Sequence, residues 1–242
     1  FESITACLEA VVPAMQHKLY ACEMMDKVIL DCTLNNREQQ KNRFFIEGDP
    51  AAILMLEVRA NTLDDARKQA VELINTIENS GLSYAYPTLE SSQINQALEL
   101  RKAGLGLLGN IVGDRKAVAC IEDTAVALED LAPYINEFSA LMADFKQDAV
   151  YYAHAGAGEL HLRPILDLKK ADDVVLFRKI TTAVANLVKK YQGSMSGEHG
   201  DGIVRGVYTE KMFGPEIYRA FQELKNTFDP QGIMNPGKIV RL

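Results

Sequence analysis

One stretch limits the fold of this chain more than any other: AVYYAHAGAGELHLRPIL, residues 149–166. Aromatic and branched residues flank a run of small ones, which predicts two strands joined by a tight turn. His154 and His161, two of only four histidines in 242 residues, lie on either side of that turn. Side chains on a strand alternate between faces, so the length of the turn decides whether the two imidazoles meet. A four-residue turn over residues 155–158 pairs His154 with Glu159. His161 then shares the face of Glu159, diagonal to His154, and both rings reach one point. Arg163 follows two residues later and faces the same side. A turn of three or five residues puts the histidines on opposite faces instead.

Two neutral imidazoles that reach one point suit a divalent metal, with Zn–N bonds of about 2.0–2.1 Å. Two strand histidines satisfied by hydrogen bonds give the same pattern. The segment SGEHGDG, residues 196–202, offers what such a site lacks. Its glycines admit unusual backbone angles and close approach of a second molecule. Neighbouring side chains point opposite ways in extended backbone. Glu198 can therefore complete a two-histidine, one-carboxylate site while His199 faces a substrate. Zinc is the expected metal, and manganese or iron suit the same donors. A solvated polar turn is the alternative for this segment. Arg101, at the end of a helical pattern, and Lys116, at the start of a strand pattern, are candidate cations for a carboxylate substrate. Each is also an ordinary kind of surface charge.

The rest of the chain alternates strand and helix patterns. Residues 3–13 read as a helix with Ser3 as N-cap, and 21–34 as a second helix. Residues 52–60 read as a strand. A helix follows, capped by Thr62 and stopped at Gly81. Residues 82–89 read as a strand interrupted by Pro87, and 91–101 as a helix broken by GLGLLGN. Residues 116–123 read as a strand, 127–145 and 171–192 as helices, 215–228 as the last helix, and FDPQGIMNPGKIV as a turn-rich tail. This order predicts an α+β fold with helices on a largely antiparallel sheet. GLGLLG at 104–109 has dinucleotide-loop glycine spacing, but it follows a helix rather than a strand and is discounted.

A net charge of −7, with no block of lysines or arginines against it, argues against a nucleic-acid surface, which needs a basic footprint. Cys7, Cys22, Cys32 and Cys120 form no C-x-x-C pair, so an iron–sulfur or zinc-ribbon site made of these alone is not expected. No apolar run reaches 18 residues and no signal peptide is recognised, so free thiols in a reducing, cytoplasmic setting are expected. The chain starts at Phe1 without methionine and runs straight into a helical pattern, which reads as a piece of a longer protein.

YYAHAGAGELHLRPILDL, SGEHGDGIVRG and FDPQGIMNPGKIV, in this order, resemble the C-terminal domain of FAD-linked oxidases of the vanillyl-alcohol oxidase superfamily. The branch is that of D-lactate dehydrogenases, glycolate oxidase and D-2-hydroxyglutarate dehydrogenases. RKAGLGLLGN and VACIEDTAV look most like the large bacterial members fused to an iron–sulfur domain. The resemblance covers residues 1–242. It implies a ferredoxin-like cap over a flavin held mainly by a separate N-terminal FAD domain absent from this chain. It implies oxidation of a D-2-hydroxy acid to a 2-oxo acid, a fused iron–sulfur partner, and a homodimer as one allowed assembly. His154, His161 and Glu198 match the metal ligands, and His199 the catalytic base. Arg101 and Lys116 match cations that hold the substrate carboxylate, and Asn235 lies in the tail that approaches the flavin. Some relatives carry Asn where this chain has Arg163, and an extra cation there favours a dicarboxylate. Two rival readings are a stand-alone metal-dependent hydrolase on the same His–His–Glu site and a non-catalytic assembly module.

Overall fold

The 149–166 stretch folds as a hairpin in the expected register, with His154 opposite Glu159 and Tyr152 opposite His161. The computed structural model describes residues 1–34 and 36–240. Its strands are β1 (Ala21–Asp26), β2 (Ala52–Glu57), β3 (Lys116–Ala117), β4 (Thr124–Ala125), β5 (Ala149–His154) and β6 (Glu159–Leu166). Its α-helices are α1 (Ile4–Glu9), α2 (Val11–Ala14), α3 (Lys27–Leu34), α4 (Arg37–Gln40), α5 (Leu63–Ser80), α6 (Ser92–Leu107), α7 (Leu131–Asp144), α8 (Ala171–Lys190), α9 (Gly202–Gly206), α10 (Thr209–Phe213) and α11 (Pro215–Phe228). The strands form one antiparallel sheet in the order β2-β1-β5-β6-β3, with β4 also paired to β6. The expected α+β architecture is therefore present.

The two sheet faces have different fates. Cys22, Met24, Ala153, Leu160 and Leu162 point into the main core, against Leu8, Leu131, Ile135, Phe138, Ile180 and Val184 from α1, α7 and α8. Met25, Val150 and Tyr152 face the other way, under Ile29, Leu30 and Leu108. That second cover stops short, and the rest of the face carries the histidines. Phe138 is fully buried and meets Tyr151 edge-to-face at 5.7 Å. Phe138→Ala is expected to cost about 3–5 kcal/mol in a urea melt, the range for a buried ring that leaves a cavity.

Four expectations need correction. Residues 21–34 are not one helix. Residues 21–26 alternate as β1, and only Lys27–Leu34 is helical. Asp26 makes the join: its buried carboxylate accepts the Ile29 amide at 3.0 Å and the Tyr151 amide at 2.8 Å. Residues 82–89 are not a strand. Local bonds replace a ladder there, including Tyr86 Oη to the Ser83 carbonyl at 2.6 Å, and Pro87 has no amide to give. GLGLLGN does not break its helix, since α6 runs on to Leu107. Gly104 serves helix crossing instead: a Cβ there would lie 2.4 Å from Ile29 Cγ2. Finally, 116–123 is a strand only at Lys116–Ala117, and the chain then leaves the ladder until β4.

Burial pushes the Asp26 carboxyl up to about 7 from its ordinary 3.8, outweighing its amide donors. The folded chain then holds a proton that the unfolded chain releases. The stability this contributes is present below about pH 4 and is lost as pH rises through about 7. Urea melts across this window should show a flatter pH dependence for Asp26→Asn than for wild type.

Cys7, Cys22, Cys32 and Cys120 are free thiols, as expected. No helix among the described residues is long and apolar enough to cross a membrane.

Candidate active site

The alternation of β5 and β6 puts Tyr152, His154, Glu159, His161 and Arg163 on one face. The neighbouring β1 adds Glu23 beside His154. His154 Nδ1 lies 2.8 Å from Glu23 Oε2, and a carboxylate only accepts, so this nitrogen carries the proton. The other nitrogen, Nε2, faces Glu198 Oε1 at 3.4 Å. The hydrogen bond to Glu23 holds the His154 pKa above its ordinary value.

His161 lies deeper and is 2% exposed. Burial, and then the charge of His154, push its pKa down to about 4, so it is neutral with a free lone pair. Its Nε2 is 3.9 Å from Glu198 Oε1. Its Nδ1 is buried without a hydrogen-bond partner. The ring stacks between Tyr152, at 4.5 Å, and His199, at 5.3 Å, and meets His154 edge-on at 5.1 Å. One ligand atom from each of His154, His161 and Glu198 lies within 4.8 Å of the others. A metal with bonds near 2.0–2.1 Å separates its ligands by at most about 4 Å, and both distances to Glu198 Oε1 are inside that limit.

These residues fit a divalent metal on two grounds. Glu23 behind His154 is the carboxylate that a ligating histidine needs to fix its tautomer. His161 is neutral and buried, and its Nε2 faces the same Glu198 oxygen as His154 Nε2, at 3.9 and 3.4 Å, so the donor set of two imidazoles and a carboxylate suits one shared ion. A dinucleotide cradle is a different matter. The GLGLLG glycines span the end of α6 and the 3-10 turn that follows it, so no phosphate loop is formed there.

The cations divide. Arg101, from α6, donates from Nη2 to Glu23 Oε2 and lies 3.4 Å from His154 Nδ1, at the rim of the histidine pair. Arg163 donates from Nη2 to Glu122 Oε1, which also accepts the Tyr152 hydroxyl at 2.6 Å. Burial pushes Glu122 upward, but these two donors outweigh it and hold its carboxyl below the usual range. Arg101 and Arg163 each keep a buried Nε without a partner. Lys116 is not brought to the site. It pairs with Leu166, five residues beyond His161 or about 17 Å along the strand. Its ammonium donates to the carbonyls of Gly109, at 3.1 Å, and Ile111, at 2.6 Å. Asn235 lies in the tail, at φ 49°, in a turn pinned by Ile233 and Met234 amides on Asp229.

Sequence reasoning missed Glu23, Glu122 and Asp123, and gave Glu159 no role beyond its register. Glu159 is buried, and a Cβ on Gly197 would lie 2.8 Å from its Cδ, so the 196–199 loop closes over it only with glycine there. Burial, then the contact with Asp123, push Glu159 up to about 8. Asp123 moves the other way, well below the usual carboxylate range: burial opposes this, but bonds from Glu159, Ser196 and two backbone amides outweigh it. The two neighbouring carboxyls are thus pushed in opposite directions, Glu159 upward and Asp123 downward.

Residues 1–239 match the family described as FAD linked oxidases, C-terminal domain. The chain belongs to this family. It is 34% identical over 235 residues to the D-2-hydroxyglutarate dehydrogenase of Pseudomonas putida, which covers 93% of this chain and 23% of that protein. It is 44% identical over 146 residues to the enzyme of the same name from Haemophilus influenzae, covering 60% of this chain and 14% of the other. The chain thus spans less than a quarter of the length of these curated relatives. The fold matches 4-ethylphenol oxidase from Gulosibacter chungangensis with a TM-score of 0.62 at 14% identity, over 99% of this chain and 52% of that one. The C-terminal domain fold of FAD-linked oxidases is thereby established for this chain.

Proposed function

We propose that this FAD-linked oxidase domain forms the substrate-side half of an enzyme that oxidises a D-2-hydroxy acid to a 2-oxo acid. The convergence of His154, His161 and Glu198 on one point, with Glu23 behind His154, carries the reading. Relatives named D-2-hydroxyglutarate dehydrogenase support the substrate class. In this reading residues 1–242 are one cap domain, and a separate N-terminal domain holds most of the FAD. A fused iron–sulfur domain and a homodimer belong to the same proposal. The hydrolase and assembly readings draw no support from these relatives.

When bound, a divalent metal, zinc foremost, polarises the substrate oxygen and lowers its pKa, and FAD accepts the hydride. The rest falls to the chain's own residues. His154, His161 and Glu198 hold the metal. His199, half-exposed beside Glu198, takes the hydroxyl proton on the ring nitrogen that does not face Glu198. Arg101 offers its guanidinium to the substrate carboxylate and fixes the approach. Arg163, on the opposite side of His161, meets a second carboxylate, which favours a dicarboxylate such as D-2-hydroxyglutarate. Lys116 joins only if its ammonium leaves the two carbonyls it caps. Asn235 is assigned to the flavin side.

The test is metal content and turnover of the full-length protein with D-2-hydroxyglutarate and D-lactate. About one zinc, manganese or iron per chain, lost in His161→Ala together with activity, is expected from a two-histidine, one-carboxylate site. Full turnover by a metal-free preparation overturns the reading.

A further inference from the structure

Glu198 and His199 lie on a loop that neither a helix nor a strand holds in place. The antiparallel bridge of Ser194 to Ala125 precedes them, and α9 begins only at Gly202. What fixes the loop between these points is Asp123. This residue is completely buried. Its backbone sits at φ 81°, in the left-handed region that Asp enters only at a cost. That turn stands directly before β4, and the carboxylate meets the loop.

Four donors from four consecutive residues end on Asp123. Ser196 Oγ donates to Oδ2 at 2.5 Å, and the Gly197 amide to the main-chain carbonyl at 2.7 Å. The Glu198 amide donates to Oδ1 at 2.8 Å, and the His199 amide to Oδ2 at 2.9 Å. Arg205, from α9, closes the other side. Its Nη1 lies 3.3 Å from Oδ2, and its Nη2 donates to the Gly200 carbonyl at 2.6 Å. Charge-assisted bonds of this kind are roughly twice as strong as neutral ones. Because the two amides sit on the two oxygens of one rigid carboxylate, Glu198 and His199 cannot move independently.

We propose that Asp123 is the positioning residue of this site: it sets the carboxylate of Glu198 toward the two histidines and the imidazole of His199 toward substrate, touching neither metal nor substrate itself. The inference rests on the reading of Glu198 as a ligand, and adds what makes a loop residue fit for that task. A ligand on an unsupported glycine-rich loop would have to be ordered at the moment of metal binding. Asp123 orders it beforehand.

The deciding variant is Asp123→Asn in the full-length protein. Its amide group replaces one oxygen by a donor, which must face either the Glu198 amide or the His199 amide and Ser196 hydroxyl. At least one bond is lost without a change of size. Two quantities are read: the affinity for Zn²⁺ alone, by competition with a chelator, and amide hydrogen exchange of residues 196–200 in metal-free protein. The expected result is zinc binding weaker by about 10–100-fold, the usual effect of removing a residue that supports a ligand. Exchange over 196–200 should quicken while β5 and β6 stay protected. Unchanged zinc affinity, or unchanged loop exchange, overturns the assignment. Should Asp123→Asn not fold, Ser196→Ala removes one donor at the solvent side of the same cluster. It should move both quantities in the same direction by less, and no movement in either again overturns it. A wild-type protein with a protected loop and no zinc binding sinks the metal reading rather than the clamp, which the exchange data judge by themselves.

Discussion

His199→Ala is expected to lower kcat for a D-2-hydroxy acid by about 10²–10⁴-fold, the contribution of a general base, with metal content unchanged. The geometry separates His199 from the other two histidines. It is 46% exposed in its side chain, whereas His161 is enclosed, so it is the ring open to an incoming molecule. It stacks on His161 at 5.3 Å and 22°, which fixes the plane of the ring. Its Nε2 is 3.2 Å from Glu198 Oε1, so a carboxylate stands ready to stabilise the imidazolium that forms when the ring takes a proton. A proton acceptor next to a metal-held hydroxyl needs this placement: outside the ligand set and within reach of it. Steady-state kinetics with metal analysis on the same sample distinguishes the roles. If metal content falls with kcat, His199 is a ligand, and the triad of Glu122, His161 and His199, whose ligand atoms also lie within 4.8 Å of one another, becomes the better candidate centre.

Part of this site was legible in the sequence because a strand has a fixed period. Once the turn over 155–158 has four residues, the face shared by His154, Glu159, His161 and Arg163 follows from counting, and the observed register agrees. The α5 caps, Thr62 and Gly81, were equally legible, since capping is a local property of a few residues. What the pattern did not show depends on tertiary context. Glu23 was hidden because ACEMMD is short and apolar enough to pass for helix. Only pairing with β2 and β5 makes it a strand and turns Glu23 toward His154. Asp123 was hidden in an apparent strand; it lies outside the ladder, at φ 81°, and its role appears only when residues 196–199, more than seventy positions away, fold over it. Lys116 shows the converse. A cation at a strand start looked apt for a carboxylate, but the strand is two residues long and the ammonium caps the carbonyls that follow α6.

Arg101→Ala is expected to cost about 2–5 kcal/mol in transition-state binding of a 2-hydroxy acid, roughly 30- to 5000-fold in kcat/KM, the range for removing one partner of a buried charge pair. Arg101 reaches the site from α6, and its guanidinium is tethered on one side only. Nη2 is engaged with Glu23, and a planar guanidinium carries further donors on the same fork for a carboxylate. The tether also links it to the histidine pair, because Glu23 Oε2 accepts from both Arg101 and His154 Nδ1. Removing Arg101 therefore has two effects, loss of the substrate anchor and a change in the charge balance behind His154. Arg101→Lys separates them. It keeps the positive charge near Glu23 but not the fork, so metal content should hold while KM for the hydroxy acid rises. Lys116→Ala is the contrasting variant. With its ammonium spent on two carbonyls about 17 Å along the sheet from His161, it should change kcat/KM by no more than about 0.5 kcal/mol, the ordinary effect of a surface substitution. A loss as large as that of Arg101→Ala would show that the segment bearing Lys116 swings over the site when substrate binds, and would give the carboxylate two anchors instead of one.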